Sequence, residues 1–172
     1  MVRISLAAAV LGTAATAAAE LFMNLTSITG RDQVSVFECW QLDTPFASAG
    51  TPGIQGSQVL DLGAVDNATY TVVPPRFGGS FHNAPYKQFV WFISGVTHVT
   101  VPDSTDEVIL YGGRYGLIFA DDTADISERG HLTTFSSSDA VVAFSVPVKD
   151  GVTPPHTVLH DGPCTLEESL GI

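Results

Sequence analysis

Residues 81–95 run F-H-N-A-P-Y-K-Q-F-V-W-F-I-S-G, with His82 and Gln88 standing ahead of five apolar residues, 89–93, that Ser94-Gly95 stops as a strand end would. A polar pair is therefore expected at the mouth of a buried strand. Residues 116–133 follow a related plan, G-L-I-F-A-D-D-T-A-D-I-S-E-R-G-H-L-T: an apolar strand, an acidic loop, and a third polar candidate, His131, opening the next strand. His82, Gln88 and His131 are expected to converge.

Outward from these segments the chain continues in short β-branched or aromatic runs. They are residues 34–40, 70–73, 88–93, 96–101, 107–110, 117–120, 131–135 and 140–146, with almost no helical period between them. Turn-forming clusters separate them, as at Pro102-Asp103-Ser104, Gly112-Gly113 and Ser136-Ser137-Ser138. Residues 44–56 carry too much Gly and Pro for a central strand and predict a long surface loop of lid length. His98 alternates with Val96 and Thr100, and the pattern leaves open which face points inward. Asp121-Asp122 is expected to cap its loop through backbone hydrogen bonds, not to form a catalytic dyad. The tail beyond Gly151 is expected to leave His156 and His160 solvated and to make one helical turn at Cys164-Thr165-Leu166-Glu167-Glu168.

The two segments resemble the paired motifs of small single-domain cupins, which open W/F-H-N-A-P-x-x-Q-F/Y and close G-D-x-x-x-x-x-D-T-x-G-x-G-H. The match spans residues 81–135. It implies an all-β, cupin-like double-stranded β-helix, a jelly-roll barrel, around which residues 21–62 wrap as extra strands. It also implies a site at one open end made by His82, Gln88 and His131, walled by Trp91, Phe119 and Tyr115. Metal-binding cupins offer two His and a Glu in the first motif and a His in the second. Here Gln88 stands at the Glu position and only His82 and His131 remain. Glutamine is a poor ligand beside imidazole, carboxylate or thiolate, so no metal and no cofactor are expected. The loop before His131 also carries extra residues near Asp125 to Ser127 and lacks one expected glycine.

Composition bounds the remaining possibilities. At 172 residues, 45% hydrophobic and 15% charged, the chain suits one globular domain, assigned to residues 20–172. Residues 1–19 combine a basic start at Arg3, an apolar run and a small-residue end, the pattern of a secretory signal peptide without a membrane anchor. Asn24-Leu25-Thr26 and Asn67-Ala68-Thr69 are N-glycosylation acceptors. In an oxidising compartment the only two cysteines, Cys39 and Cys164, are expected to form one disulfide. A formal net charge of −11 and the lack of a Lys/Arg cluster argue against nucleic acid or an anionic membrane as partner.

No G-x-S-x-G, H-E-x-x-H, Walker loop or dinucleotide fingerprint occurs in the sequence. Three functions from different classes remain. The first is a secreted, metal-independent enzyme of secondary metabolism that holds a small apolar substrate for cyclisation, isomerisation or elimination. In layout, a short secreted chain with two sequons and two cysteines, the protein also resembles small fungal proteins that catalyse hetero-Diels–Alder steps. The second is a metal-dependent cupin dioxygenase or decarboxylase. The third is a secreted binding or storage protein. The cupin resemblance further admits a homodimer paired through edge strands.

Overall fold

The computed structural model describes residues 20–169, so the leader assigned to residues 1–19 lies outside the described residues. The fold is all-β. In chain order the strands are β1 (Phe22–Arg31), β2 (Val34–Pro45), β3 (Ala47–Ser48), β4 (Gln58–Val59), β5 (Thr69–Val73), β6 (Gly78–His82) and β7 (Gln88–Phe92). They continue as β8 (Val96–Thr100), β9 (Glu107–Tyr111), β10 (Leu117–Ala120), β11 (His131–Phe135), β12 (Val141–Pro147) and β13 (His156–Asp161), before a helical turn, α1 (Leu166–Ser169).

Two sheets carry the structure, one of seven strands in the order β13-β2-β1-β10-β7-β12-β5 and one of four in the order β6-β11-β8-β9; neither closes on itself. Among the described strands every pairing is antiparallel except β1 with β10, which run parallel through Thr26↔Ile118 and Ile28↔Ala120; an isolated parallel bridge joins Gln33 to Ser127. Residues 21–62 thus supply two long strands to the larger sheet, while β3 and β4 form a separate two-residue ladder at the ends of the Gly- and Pro-rich loop.

Strand alternation sorts the side chains between two cores. Between the sheets, Ile28, Phe37, Phe92, Ile118 and Val141 pack against Val99, Val101, Val108 and Leu110. On the far face of the seven-stranded sheet, Leu25, Trp40, Leu42, Phe89, Phe119 and Val148 form a second cluster covered by Leu60 and Leu62. Each such side chain removed from water contributes roughly 1.5–3 kcal/mol before entropy is charged against it. On β8 the inward residues are Thr97 and Val99; His98 faces out and meets Glu107 at 2.9 Å.

The tail departs from expectation. Residues 156–161 form an edge strand paired with β2, and the His156 ring stacks on Trp40 at 3.5 Å with an interplanar angle of 11°. His156 is therefore a packing residue, held by an aromatic surface that the sequence pattern did not assign to it. Cys39 and Cys164 are joined, which fastens the end of the tail to β2 across 125 residues.

Candidate functional site

β6 and β11 place His82 and His131 directly opposite each other in antiparallel register. Their ring centroids lie 4.6 Å apart. The approach depends on glycine at two points. A Cβ on Gly79 would overlap the Thr133 carbonyl, and one on Gly130, whose φ is +66°, would overlap the carbonyl of His82. Gln88 enters from β7 in the facing sheet, between Ala120 of β10 and Pro147 of β12.

All three residues line one cavity of about 460 Å³ between the sheets. Its walls are mainly apolar, with Val73, Phe77, Val90, Phe92, Ile118 and Phe135, and none of its lining residues is Lys, Arg, Asp or Glu. Gln88 is only 8% exposed, yet its side-chain amide has no hydrogen-bond partner among the described residues. The amide is not among the fully buried unmet polar atoms, so it opens to the cavity, where water or a ligand can meet it.

His131 is held by a residue the sequence reading did not select. Its Nδ1 donates to Asp122 Oδ2 at 2.8 Å, and Asp122 is fully buried. The same carboxylate oxygen accepts the Ser35 hydroxyl at 2.7 Å. Ser35, having spent its proton there, accepts from Ser127 at 2.8 Å, and Ser127 in turn accepts the Gly130 amide at 3.0 Å. Every hydrogen bond in this chain points toward Asp122, so each polarises the next. Asn83 pins the loop from the other motif by donating to the Asp122 carbonyl at 3.2 Å and the Ser127 carbonyl at 2.7 Å.

The arrangement fixes one tautomer. With Nδ1 protonated and engaged, His131 keeps Nε2 as its free nitrogen, the geometry of an oriented general base. His82 is anchored similarly: Nδ1 donates to the Ser80 carbonyl at 2.9 Å, which again leaves Nε2. Both anchors would also suit metal-bound imidazoles. The third donor is an amide and no carboxylate or thiolate lines the cavity, so the residues present do not make a tight site for a first-row metal.

The three aromatic residues assigned to the wall lie elsewhere. Counted from Gln88, alternation along β7 carries Val90 and Phe92 inward and puts Trp91 on the far face, where it is 45% exposed and donates to the Gly113 carbonyl at 2.7 Å. Phe119 is buried in the second core, 5.5 Å from Trp40 and 4.9 Å from Phe89. Tyr115 borders a cleft with Phe22, Met23 and Leu117, under the Arg114 guanidinium. The wall residues are instead Val90, Phe92, Ile118 and Phe135, a choice that two-residue alternation from Gln88 would have made for β7. Of the adjacent aspartates, Asp121 points away from the site, accepting Lys87 at 3.2 Å and Thr153 at 2.9 Å. Of the two sequons, Asn67 is exposed, whereas Asn24 uses its side-chain nitrogen to bond the Glu168 carbonyl at 3.1 Å.

Compared with models of protein families, with curated proteins and with solved structures, the chain matches none.

Proposed function

We propose that this protein is a secreted enzyme on a cupin-like jelly roll that binds a small, uncharged, largely apolar molecule between its sheets and transforms it without a metal. The observation that carries the reading is the unpartnered Gln88 amide facing an apolar cavity beside an oriented imidazole. The absence of charged lining residues selects a neutral substrate, because an ion moved into that cavity would lose hydration with nothing to replace it.

In this reading the Gln88 N–H donates to a substrate carbonyl or enone oxygen, and His131 Nε2, poised by Asp122, takes or returns a proton on the adjoining carbon. His82, at the mouth, accepts a hydrogen bond through Nε2 from the other side. Polarising an enone and fixing its partner group in one cavity serve isomerisation, elimination and hetero-Diels–Alder cyclisation alike. Loss of one preorganised donor in a water-excluded site costs about 3 kcal/mol, or roughly a hundredfold in rate. Secretion is supported by the disulfide, and no helix among the described residues is long and apolar enough to cross a membrane.

The test is mass spectrometry of small molecules released from the purified protein, followed by turnover of the retained class. A neutral apolar compound is expected, together with loss of turnover in Gln88→Leu of about a hundredfold and a melting temperature equal to or above wild type. Retention without turnover would make the protein a carrier. Wild-type turnover in both Gln88→Leu and His131→Ala would remove the site from the chemistry.

A further inference from the structure

The disulfide is surrounded by metal-binding chemistry that the proposed enzyme site does not use. Cys39 Sγ, a ring nitrogen of His160 and a carboxylate oxygen of Glu168 lie within 4.8 Å of one another. Cys164 is bonded to Cys39, so its sulfur lies one S–S bond from that group without belonging to it. Two thiolates, an imidazole and a carboxylate are a complete tetrahedral set for zinc, whose donors stand about 3.3–3.8 Å apart. We propose that reduction of the Cys39–Cys164 bridge converts this tail clasp into a binding site for a divalent zinc-like cation.

His160 and Glu168 are already positioned, while the two sulfurs part from bonding distance to the donor spacing once the bridge is reduced. The Asp161 carbonyl can only accept, so His160 Nδ1, 2.8 Å away, carries a proton and Nε2 is the atom turned to Glu168 Oε1 at 2.9 Å. An imidazole tied through one nitrogen to a backbone carbonyl is the usual outer support of a metal-bound histidine. Glu168 is set by a reciprocal cap: its Oε2 accepts the Thr165 amide at 2.6 Å while the Thr165 hydroxyl accepts the Glu168 amide at 3.2 Å, which leaves Oε1 for the site. The Cys164 amide is fastened to the Thr26 hydroxyl at 3.0 Å.

A proton on His160 Nε2 bridges to Glu168, and it occupies the place a cation would take. His160 and Glu168 side chains are 37% and 32% exposed, so the site opens to solvent. With a phosphine reductant the S–S bond takes two electrons and two protons as the phosphine becomes its oxide, the oxygen coming from water. Metal binding then releases the thiol protons and the His160 proton to buffer.

The experiment titrates cobalt(II) into the full chain, oxidised or reduced with tris(2-carboxyethyl)phosphine. The reduced protein is expected to bind one cobalt, with a thiolate-to-metal charge-transfer band and tetrahedral d–d bands, and the oxidised protein to show neither. His160→Ala and Glu168→Gln, both reduced, are each expected to weaken binding at least about tenfold, since even outer-shell partners of metal ligands are worth that much. Cys164→Ser, which cannot close the bridge, is expected to bind cobalt without reductant. If reduction unfolds the chain, cobalt is expected to restore its β-sheet circular dichroism. The proposal is overturned if the reduced protein shows no thiolate band, if oxidised and reduced protein bind alike, if the His160 and Glu168 variants bind as wild type, or if cobalt fails to refold a reduced, unfolded chain.

Discussion

Asp122 accepts two hydrogen bonds on Oδ2, while its buried Oδ1 has none among the described residues. Replacement by asparagine costs in either orientation. An amide nitrogen turned to His131 forces the opposite tautomer, and one turned away buries unmet N–H groups. Asp122→Asn is expected to lower turnover more than about tenfold, to displace the pH–rate profile, and to destabilise the fold by about 1–3 kcal/mol. Paired measurements of kcat/KM against pH and of melting temperature check it; an unchanged pH profile would reduce Asp122 to a structural role. The sequence marked His131 because its residue type announces its chemistry. It did not separate Asp122 from Asp121, because adjacent residues of one type point in opposite directions only once the backbone between them is set.

Among the elements, β6 and β11 bring the two histidines together, and Gly130 is the hinge of that pairing. Gly130→Ala puts a methyl group into the His82 carbonyl at a φ of +66°, so it is expected to cost about 1–3 kcal/mol or more. Urea denaturation measures the loss, and wild-type stability would mean the strands meet differently. β6 was hidden in the sequence because Gly78-Gly79-Ser80 has poor strand propensity; it is a strand because only a residue without Cβ fits against the Thr133 carbonyl. β13 was hidden by its two histidines and by Pro154, Pro155 and Pro163 on either side of it, although β2 was waiting to pair with it. At the other end of β13, the Thr165 hydrogen bonds lower the Glu168 pKa, and the Asp161 carbonyl and Glu168 raise that of His160. A depressed acid stabilises above its ordinary pKa and loses that as pH falls through the lowered one. A raised histidine stabilises below its ordinary pKa and loses that as pH rises through the raised one. The clasp is therefore strongest between ordinary Glu and His titration and weakens on both sides. Hydrogen exchange of the α1 amides, corrected for intrinsic rate, is expected to show that window in wild type and to lose its acid edge in Glu168→Gln, while the alkaline edge, set first by the Asp161 carbonyl, remains.

At the scale of the molecule, the strand content was legible from alternation, and the boundaries of β10 and β11 match the apolar runs that announced them. The partners of the long N-terminal strands were not, because nothing in Phe22–Arg31 says that it will lie parallel to Leu117–Ala120. Sheet order is a property of the assembled chain. The bridge that spans it carries the largest single stability term predicted here: with 125 residues closed, Cys39→Ser is expected to cost up to about 5 kcal/mol in the chain-entropy model and to lower the melting temperature accordingly. A calorimetric loss below about 1 kcal/mol would mean that β13 and the second core hold the tail without it. The same span sets a timetable for synthesis. A ribosome adding about 5–20 residues per second needs roughly 6–25 s to travel from Cys39 to Cys164. For roughly the first three fifths of that interval the β1–β2 hairpin can form but has neither β10 on one side nor β13 on the other, and β13 follows only near its end. The hairpin's two long edges stand open to neighbouring nascent chains. Recovery of folded protein is therefore expected to fall as the number of chains emerging together rises.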